Sequence, residues 1–416
     1  MNRIFLSVIF YSLFSATLHS QDSLSIKIGQ MILIGIPKAE VDKAVLEEVR
    51  NGKAGSLIFF EKNIPAKNSY MGLKKVIWTY KQAAPIPLLV GIDQEGGRVN
   101  RLKEKYGFPR SVSAANLGKM PLDSVRFYSE STAATLAGLG FNINFSPVVD
   151  LASNPDNPII ARPERAYSKS PDSVILYARE VIRTHQRLGV LTSLKHFPGH
   201  GSSKDDTHMG LTDVTDTWKE DELKPYKVLI EEGLAESVMT SHIVNKKLDP
   251  SGNPGTLSNK IIQGILRDRL GFSGVVFTDD MQMHAITKYY GLEEAIRLTI
   301  LAGVDILTFS NNISGSQDRT VDKVHAIIRG YVENGTIPQS RIDESYKRIM
   351  ALKKNLSMSA ADYRAELKRS EEHAKRVYEE SLRQANEARA IAKEAAEKEV
   401  QVQPDQSTGK PKKKKK

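Results

Sequence analysis

The sequence predicts an α/β fold, a (β/α)8 TIM-like barrel with a C-terminal charged helical extension. Eight short runs rich in Val, Ile, Leu and Phe recur along the chain without alternating with polar residues, as strands covered on both faces do. Amphipathic segments separate them, and most runs end in a residue able to do chemistry. An open doubly wound sheet fits less well, because no Gly-rich dinucleotide fingerprint follows the first run.

Taken in order, the chain opens with Met1-Asn2-Arg3, a mostly apolar stretch from Ile4 to Leu18, and Ser20-Gln21. A positive start, a short apolar core and a small residue at a plausible cut predict a cleaved signal peptide over residues 1–20. No cysteine follows that core, so a lipid anchor is not expected, and no later segment approaches a membrane span. The mature protein is expected to be exported and soluble, periplasmic or secreted.

The barrel is expected over residues 21–356. Its strands are predicted at Gln30 to Gly35, Gly55 to Phe60, Pro87 to Asp93, Phe141 to Pro147, Val190 to His196, Ser237 to His242, Gly274 to Asp279 and Asp305 to Ser310. Helical patterns lie between them at Asp123 to Leu139, Ser170 to Leu188, Asp221 to Gly233 and Leu292 to Ala302, with Gly140, Gly189, Gly233 and Gly303 placed as helix ends want. Ser340 to Met350 is the amphipathic helix expected to close the barrel, ending near Lys354. Residues 357–400 then alternate Glu, Lys, Arg and Ala with few apolar anchors, which predicts an exposed or weakly self-associating helix. The tail, 401–416, is expected to be disordered.

Composition excludes several functions. All 416 residues include no cysteine, so disulfides, thiol nucleophiles and cysteine-ligated zinc are absent. The formal net charge of +10 suggests nucleic acid, yet half of it sits in the last sixteen residues, where six lysines (Lys410 and Lys412 to Lys416) meet only Asp405. No nucleic-acid partner is expected; Lys410 to Lys416 is at most a weak contact for an anionic surface.

Strand ends carry Asp93, Pro147 to Asp150, Lys195-His196, Ser241-His242 and Thr278-Asp279-Asp280, and in a barrel these converge on one face. A zinc site from His196, His200, His208 and Asp206 is disfavoured, since Pro198 and Gly199 break any helix that would place i and i+4 histidines together. Neither a phosphate-cradling Gly-x-x-x-x-Gly-Lys-Ser/Thr loop nor a Gly-x-Ser-x-Gly elbow occurs. Carboxylate chemistry remains: Asp279 on a rigid strand end can attack a sugar carbon, and a histidine can deliver and recover the leaving-group proton. Asp206, two residues before His208, is placed to orient that histidine, although spacing alone leaves the pairing open.

From about Leu24 to Lys354 the chain closely resembles the glycoside hydrolase family 3 β-N-acetylhexosaminidases. The motifs that carry the resemblance are Gly91 to Arg101 (GIDQEGGRVNR), Asn144 to Asp150 (NFSPVVD), Glu164 to Ser168 (ERAYS), Lys195 to Gly201 (KHFPGHG) and Phe277 to Met281 (FTDDM). The resemblance implies that Asp279 is the nucleophile and His208 the general acid/base paired with Asp206. It also implies that Asp93, Arg101, Arg165, Lys195 and His196 bind the sugar; Arg101 and Arg165 would otherwise read as solvent-exposed charges. Relatives that act on glucosides usually take their acid/base from a second domain, which this chain is not expected to carry, and the histidine route favours N-acetylglucosamine.

The loop before His208 reads Gly201-Ser202-Ser203-Lys204-Asp205-Asp206-Thr207, where relatives usually have Gly-Asp-Thr-x-x-Asp-Ser; the spacing is kept and Thr207 replaces serine. The expected activity is a retaining exo-β-N-acetylglucosaminidase without metal or organic cofactor, acting on an amino-sugar glycan of peptidoglycan or chitin type. The alternatives are a β-glucosidase or glycoside phosphorylase of the same family, or a noncatalytic glycan-binding surface protein.

Overall fold

Every apolar run expected as a strand forms one. The computed structural model describes residues 23–207, 210–313 and 321–356, with Glu379 and Arg383 besides. The segment expected as a signal peptide, most of the charged extension and the lysine tail lie outside the described residues, as does His208. Ten strands are described: β1 (Ile32–Gly35), β2 (Ser56–Phe59), β3 (Leu89–Ile92), β4 (Ile143–Asn144), β5 (Leu191–Phe197), β6 (Thr212–Asp213), β7 (Ser237–Thr240), β8 (Ile243–Val244), β9 (Val275–Asp280) and β10 (Ile306–Phe309).

Eight of these form a closed parallel barrel in the order β1-β2-β3-β4-β5-β7-β9-β10, with β10 pairing back onto β1 through Ile32 opposite Leu307 and Ile34 opposite Phe309. The short pair β6 and β8 forms a separate two-stranded ribbon from the segments that follow β5 and β7. Phe145 and Phe277 meet edge to face inside the barrel, ring centroids 5.4 Å apart. Gly91 on β3 leaves them room, since a Cβ there would lie 2.6 Å from the Phe145 ring.

The pairing slips at two places, and both carry strand-end chemistry. Between Leu194 and Phe197, β5 has one residue more than β7 opposite it; between Phe277 and Asp280, β9 has one more than β10. Such bulges bend a strand and re-aim its side chains. Here they fall on Lys195-His196 and Thr278-Asp279.

The helices run Leu122–Leu139, Pro171–Arg187 and Leu292–Ala302, close to expectation, and the first and third end on glycines in the left-handed region, Gly140 and Gly303. The segment expected as one helix from Asp221 to Gly233 divides instead into a tight turn, Glu220–Leu223, and a helix, Lys224–Glu231. Pro225 is the reason: it has no amide hydrogen to give to a preceding turn and fits only at a helix start. The closing helix, Gln339–Lys353, packs across the barrel's N-terminal end.

Candidate active site

Six of the residues singled out in the sequence line one cavity of about 190 Å³ at the C-terminal end of the barrel: Asp93, Arg101, Arg165, Lys195, His196 and Asp279. At about 30 Å³ for each water in the liquid, that volume holds about six waters, enough for one sugar ring. Apolar side chains, among them Phe60, Val99, Ile159 and Met283, share the remaining wall with polar ones such as Glu95, His200, Thr207 and Asp280. Asp93 follows β3, Lys195 and His196 sit in the β5 bulge, and Asp279 sits in the β9 bulge. Arg101 and Arg165 come from loops, which is why periodicity does not reveal them.

The cavity floor is an alternating chain of charges. Lys195 Nζ donates to Asp93 Oδ1 and reaches Glu95 Oε1, both at 2.7 Å. Glu95 in turn accepts from Arg165 through both oxygens, Nε to Oε2 and Nη2 to Oε1 at 2.8 Å each. Arg101 adds a looser contact to Asp93, 3.5 Å, and its guanidinium lies over the Phe60 ring. Burial pushes the Glu95 carboxyl up, but the charges of Arg165 and Lys195 outweigh it and hold the group well below the usual carboxylate range. Burial likewise works against the Arg165 charge and Glu95 overrides it.

His196 is fixed at both ring nitrogens. Its Nδ1 lies 2.7 Å from Asp150 Oδ2, and its Nε2 lies 3.1 Å from Arg165 Nη2. A guanidinium only donates, so Nε2 is the acceptor in this arrangement and the ring proton sits on Nδ1 toward Asp150. Asp150 also accepts from the amides of His196 and His200. Burial raises its carboxyl, but His196 and these donors bring it below its ordinary range. Asp150 and Ser241-His242, expected at the pocket wall, do not line the cavity. They are fully buried behind it, and His242 Nε2 is 3.0 Å from the Asp280 carbonyl.

Asp279 lines the cavity and accepts from the Asp280 amide at 2.8 Å. The neighbouring Asp280 carboxyl is pushed up to about 6, chiefly by burial. It is clasped by the Ser310 hydroxyl and accepts from the Gln282 amide at 3.0 Å, so the end of β9 is tied to the end of β10.

The loop after β5 turns back over the site. His200 also lines the cavity; its Nδ1 lies 2.7 Å from Ser203 Oγ, and burial lowers it to about 4. Thr207 reaches the cavity wall, and its carbonyl accepts from the Ala285 amide at 3.2 Å, tying the loop to the segment after β9. Asp206 is half-buried just before it and does not line the cavity, and His208 lies outside the described residues. Among the described residues no three His, Asp or Glu side chains converge as metal ligands would. Glu95 is the cavity residue missed as a site residue in the sequence: it lies two positions past Asp93, before Gly96 and Gly97, and the Gly-Gly pair was the signal. A Cβ on Gly96 would lie 2.2 Å from the Val112 carbonyl oxygen, so only glycine lets this loop fold over the strand end.

Residues 23–352 match the model of the glycosyl hydrolase family 3 N-terminal domain. The chain is 30% identical over 332 residues to Beta-hexosaminidase A of Pseudoalteromonas piscicida, covering 74% of this chain and 54% of that protein, about half its length. It is 31% identical over 291 residues to Beta-hexosaminidase of Tolumonas auensis, covering 68% of this chain and 84% of that one. Among solved structures it is similar to a glycoside hydrolase family 3 beta-N-acetylglucosaminidase from Paenibacillus (TM-score 0.73, 29% identity, 85% of this chain and 69% of that chain). It is similar also to a Beta-N-acetylhexosaminidase from Beutenbergia cavernae (TM-score 0.72, 26% identity, 80% and 98%).

Proposed function

The chain belongs to glycosyl hydrolase family 3 and is a glycoside hydrolase; we propose that it is a retaining exo-β-N-acetylglucosaminidase that releases terminal β-linked N-acetylglucosamine from peptidoglycan or chitin-type fragments. The observation that carries this reading is Asp279 at the edge of a cavity sized for one sugar, with the Asp93, Lys195, Glu95 and Arg165 chain as its floor. The names of the similar proteins supply the amino sugar, and a one-sugar cavity supports attack at a chain end.

Asp93 accepts from sugar hydroxyls, and Lys195, Arg101 and Arg165 donate to them. The Asp279 carboxylate attacks the anomeric carbon; the C1–O bond to the aglycone breaks, and His208 gives its proton to the departing oxygen. Water then enters, His208 takes its proton, the new C1–O bond forms, and Asp279 leaves as a carboxylate. Asp206 orients His208 through this exchange. The role of His208 rests on the family motif and on Thr207, its chain neighbour at the cavity wall. The N-terminal Met1 to Gln21 stretch favours export, which would place the work on cell-wall or scavenged glycan outside the cytoplasm. No helix among the described residues is long and apolar enough to cross a membrane. Deleting residues 401–416 and measuring binding to anionic vesicles tests whether Lys410 to Lys416 adds surface contact.

The test is release of p-nitrophenol from the β-N-acetylglucosaminide and the β-glucoside, with 1H NMR of the first-formed sugar. Cleavage of the N-acetyl substrate with β anomer first supports the proposal. Preference for the glucoside, or a sugar phosphate formed in phosphate buffer, moves the reading to the alternative enzymes; α anomer first removes the covalent intermediate.

A further inference from the structure

The loop after β5 leaves the barrel on one leg and returns on another, and different parts of the fold hold the two. The outgoing leg is pinned to the segment that follows β4. Asp150 Oδ1 accepts from the His200 amide at 2.7 Å, and Asn157 Nδ2 donates to the carbonyls of His200 and Gly201 at 2.8 and 3.0 Å. Asn154 Nδ2 donates to the Ser203 carbonyl at 2.8 Å. Lys204 and Asp205 are exposed, and the chain is buried again at Thr207, immediately before His208. Among the described residues Thr207 has two hydrogen-bonding contacts. Its carbonyl accepts from the Ala285 amide at 3.2 Å, and its hydroxyl faces His200 Nε2 at 3.4 Å.

His200 is the side chain that joins the two legs. Its Nδ1 lies 2.7 Å from Ser203 Oγ on the pinned leg while its Nε2 faces Thr207 on the returning one. The ring is buried and stands edge-on to His196, centroids 6.0 Å apart. A neutral imidazole offers one donor and one acceptor, and a hydroxyl can be either, so both nitrogens are matched in either tautomer. With both nitrogens engaged inside the loop, the ring lines the cavity as a strut and not as a proton carrier. We propose that His200 is a positioning residue that bridges Ser203 and Thr207 and so fixes the leg that presents His208 to the sugar. The inference rests on the role proposed for His208 in glycoside cleavage. Ser203 anchors the ring, the ring carries that position across to Thr207, and one peptide link passes it to His208. A misplacement of about 1 Å in a reacting group can cost about 10²-fold in rate.

Loss of the strut should show only where a proton must be delivered. The measurement is kcat/KM, which reports events up to departure of the leaving group, on two substrates. The leaving oxygen of N,N′-diacetylchitobiose needs a proton; that of 2,4-dinitrophenyl β-N-acetylglucosaminide needs none. His200→Asn keeps the reach to Ser203 and loses the reach to Thr207, and Thr207→Val keeps the shape and loses the hydroxyl, so either serves if the other does not fold. Each should lower kcat/KM about 10- to 100-fold on the disaccharide and less than about threefold on the dinitrophenyl substrate. Thr207→Ser, which keeps the hydroxyl, should recover most of what Thr207→Val loses. In a His208→Ala background, His200→Asn should cost less than about twofold more on the disaccharide, because the residue it acts through is gone. Equal losses on both substrates, no loss on the disaccharide, or a full further loss in the His208→Ala background would overturn the proposal. Hydrogen exchange over residues 203–210, read by mass spectrometry, is independent of activity and should be faster in both variants than in wild type. If no N-acetylglucosaminide is cleaved at all, the activity reading fails, and the exchange rates still decide the strut: unchanged rates would sink it.

Discussion

Replacing Glu95 by glutamine should cost the fold more than any other single change on the cavity floor. Glu95 is buried between two cations, Lys195 at 2.7 Å and Arg165 at 2.8 Å. At an effective dielectric constant near 20, each contact is worth about 6 kcal/mol of raw Coulomb energy, most of it offset by the desolvation of the three groups. Glutamine fills the same space but keeps one acceptor and turns an N–H2 toward a cation, leaving a net buried positive charge. Breaking a buried pair in this way costs about 3–5 kcal/mol. Urea unfolding at pH 7 should show that loss.

The pH dependence carries a second signature of the same residue. The folded-state value of Glu95 lies below its ordinary 4.5, so its stabilisation is complete above that pH and is lost as pH falls. Below pH 4.5 the unfolded chain binds the proton and the folded one does not, so the gap between wild type and Glu95→Gln should shrink by about 1.4 kcal/mol per pH unit. By pH 3 it should have narrowed by about 2 kcal/mol. A variant within 1 kcal/mol of wild type at pH 7, or a gap that does not change with pH, would refute the charge-chain account.

Three further outcomes are expected. Asp279→Asn should lower kcat/KM at least about 10³-fold in p-nitrophenol release while leaving the urea midpoint near that of wild type, since it removes the carboxylate proposed to attack and not a packing group. His208→Ala should lose about 10²–10⁴-fold on an unactivated disaccharide but much less on an aryl glycoside, and the limb of the pH profile near the ordinary histidine range should disappear. Gly35→Ala should destabilise the barrel by about 1–3 kcal/mol in urea unfolding, because its Cβ would lie 1.8 Å from the Ser310 carbonyl oxygen where β10 closes onto β1.

The barrel was legible in the sequence because its strands are buried on both faces and therefore read as unbroken apolar runs. Asp93, Lys195, His196 and Asp279 were legible for the related reason that the residue ending such a run has a known address. Arg101 and Arg165 have no such address and were reached through the motif resemblance alone. Asp150 and His242 were placed at the correct end of the barrel but on the wrong side of the wall: sequence gives a residue's height along the barrel axis, whereas its direction depends on pairing. The two bulges could not be read at all, and they are where two consecutive residues, Lys195-His196 and Asp279-Asp280, both reach the cavity.

Buried charge is used differently at the two ends of this barrel. At the N-terminal end, Asp305 accepts from Arg267, Arg341, Ser345 and the Val276 amide, and Lys353 Nζ reaches Gln30 Oε1 and the Gly55 carbonyl, each at 2.7 Å. Arg341, Arg348 and Lys353 all come from the closing helix, so this cluster staples Gln339–Lys353 under the strands, with Asp305 and Lys353 fully buried and Arg341 and Arg348 at its partly exposed rim. At the C-terminal end the charges of Asp93, Glu95, Lys195 and Arg165 compensate one another in the same way, but one side of the chain opens on the cavity. A floor already paired within itself does not have to rearrange when a sugar arrives. Its hydrogen bonds are aimed in advance, which is the condition for stabilising the charge that develops at the anomeric carbon in the proposed mechanism. The first cluster holds the barrel together, and the second gives the proposed nucleophile, Asp279, a fixed surface beside it.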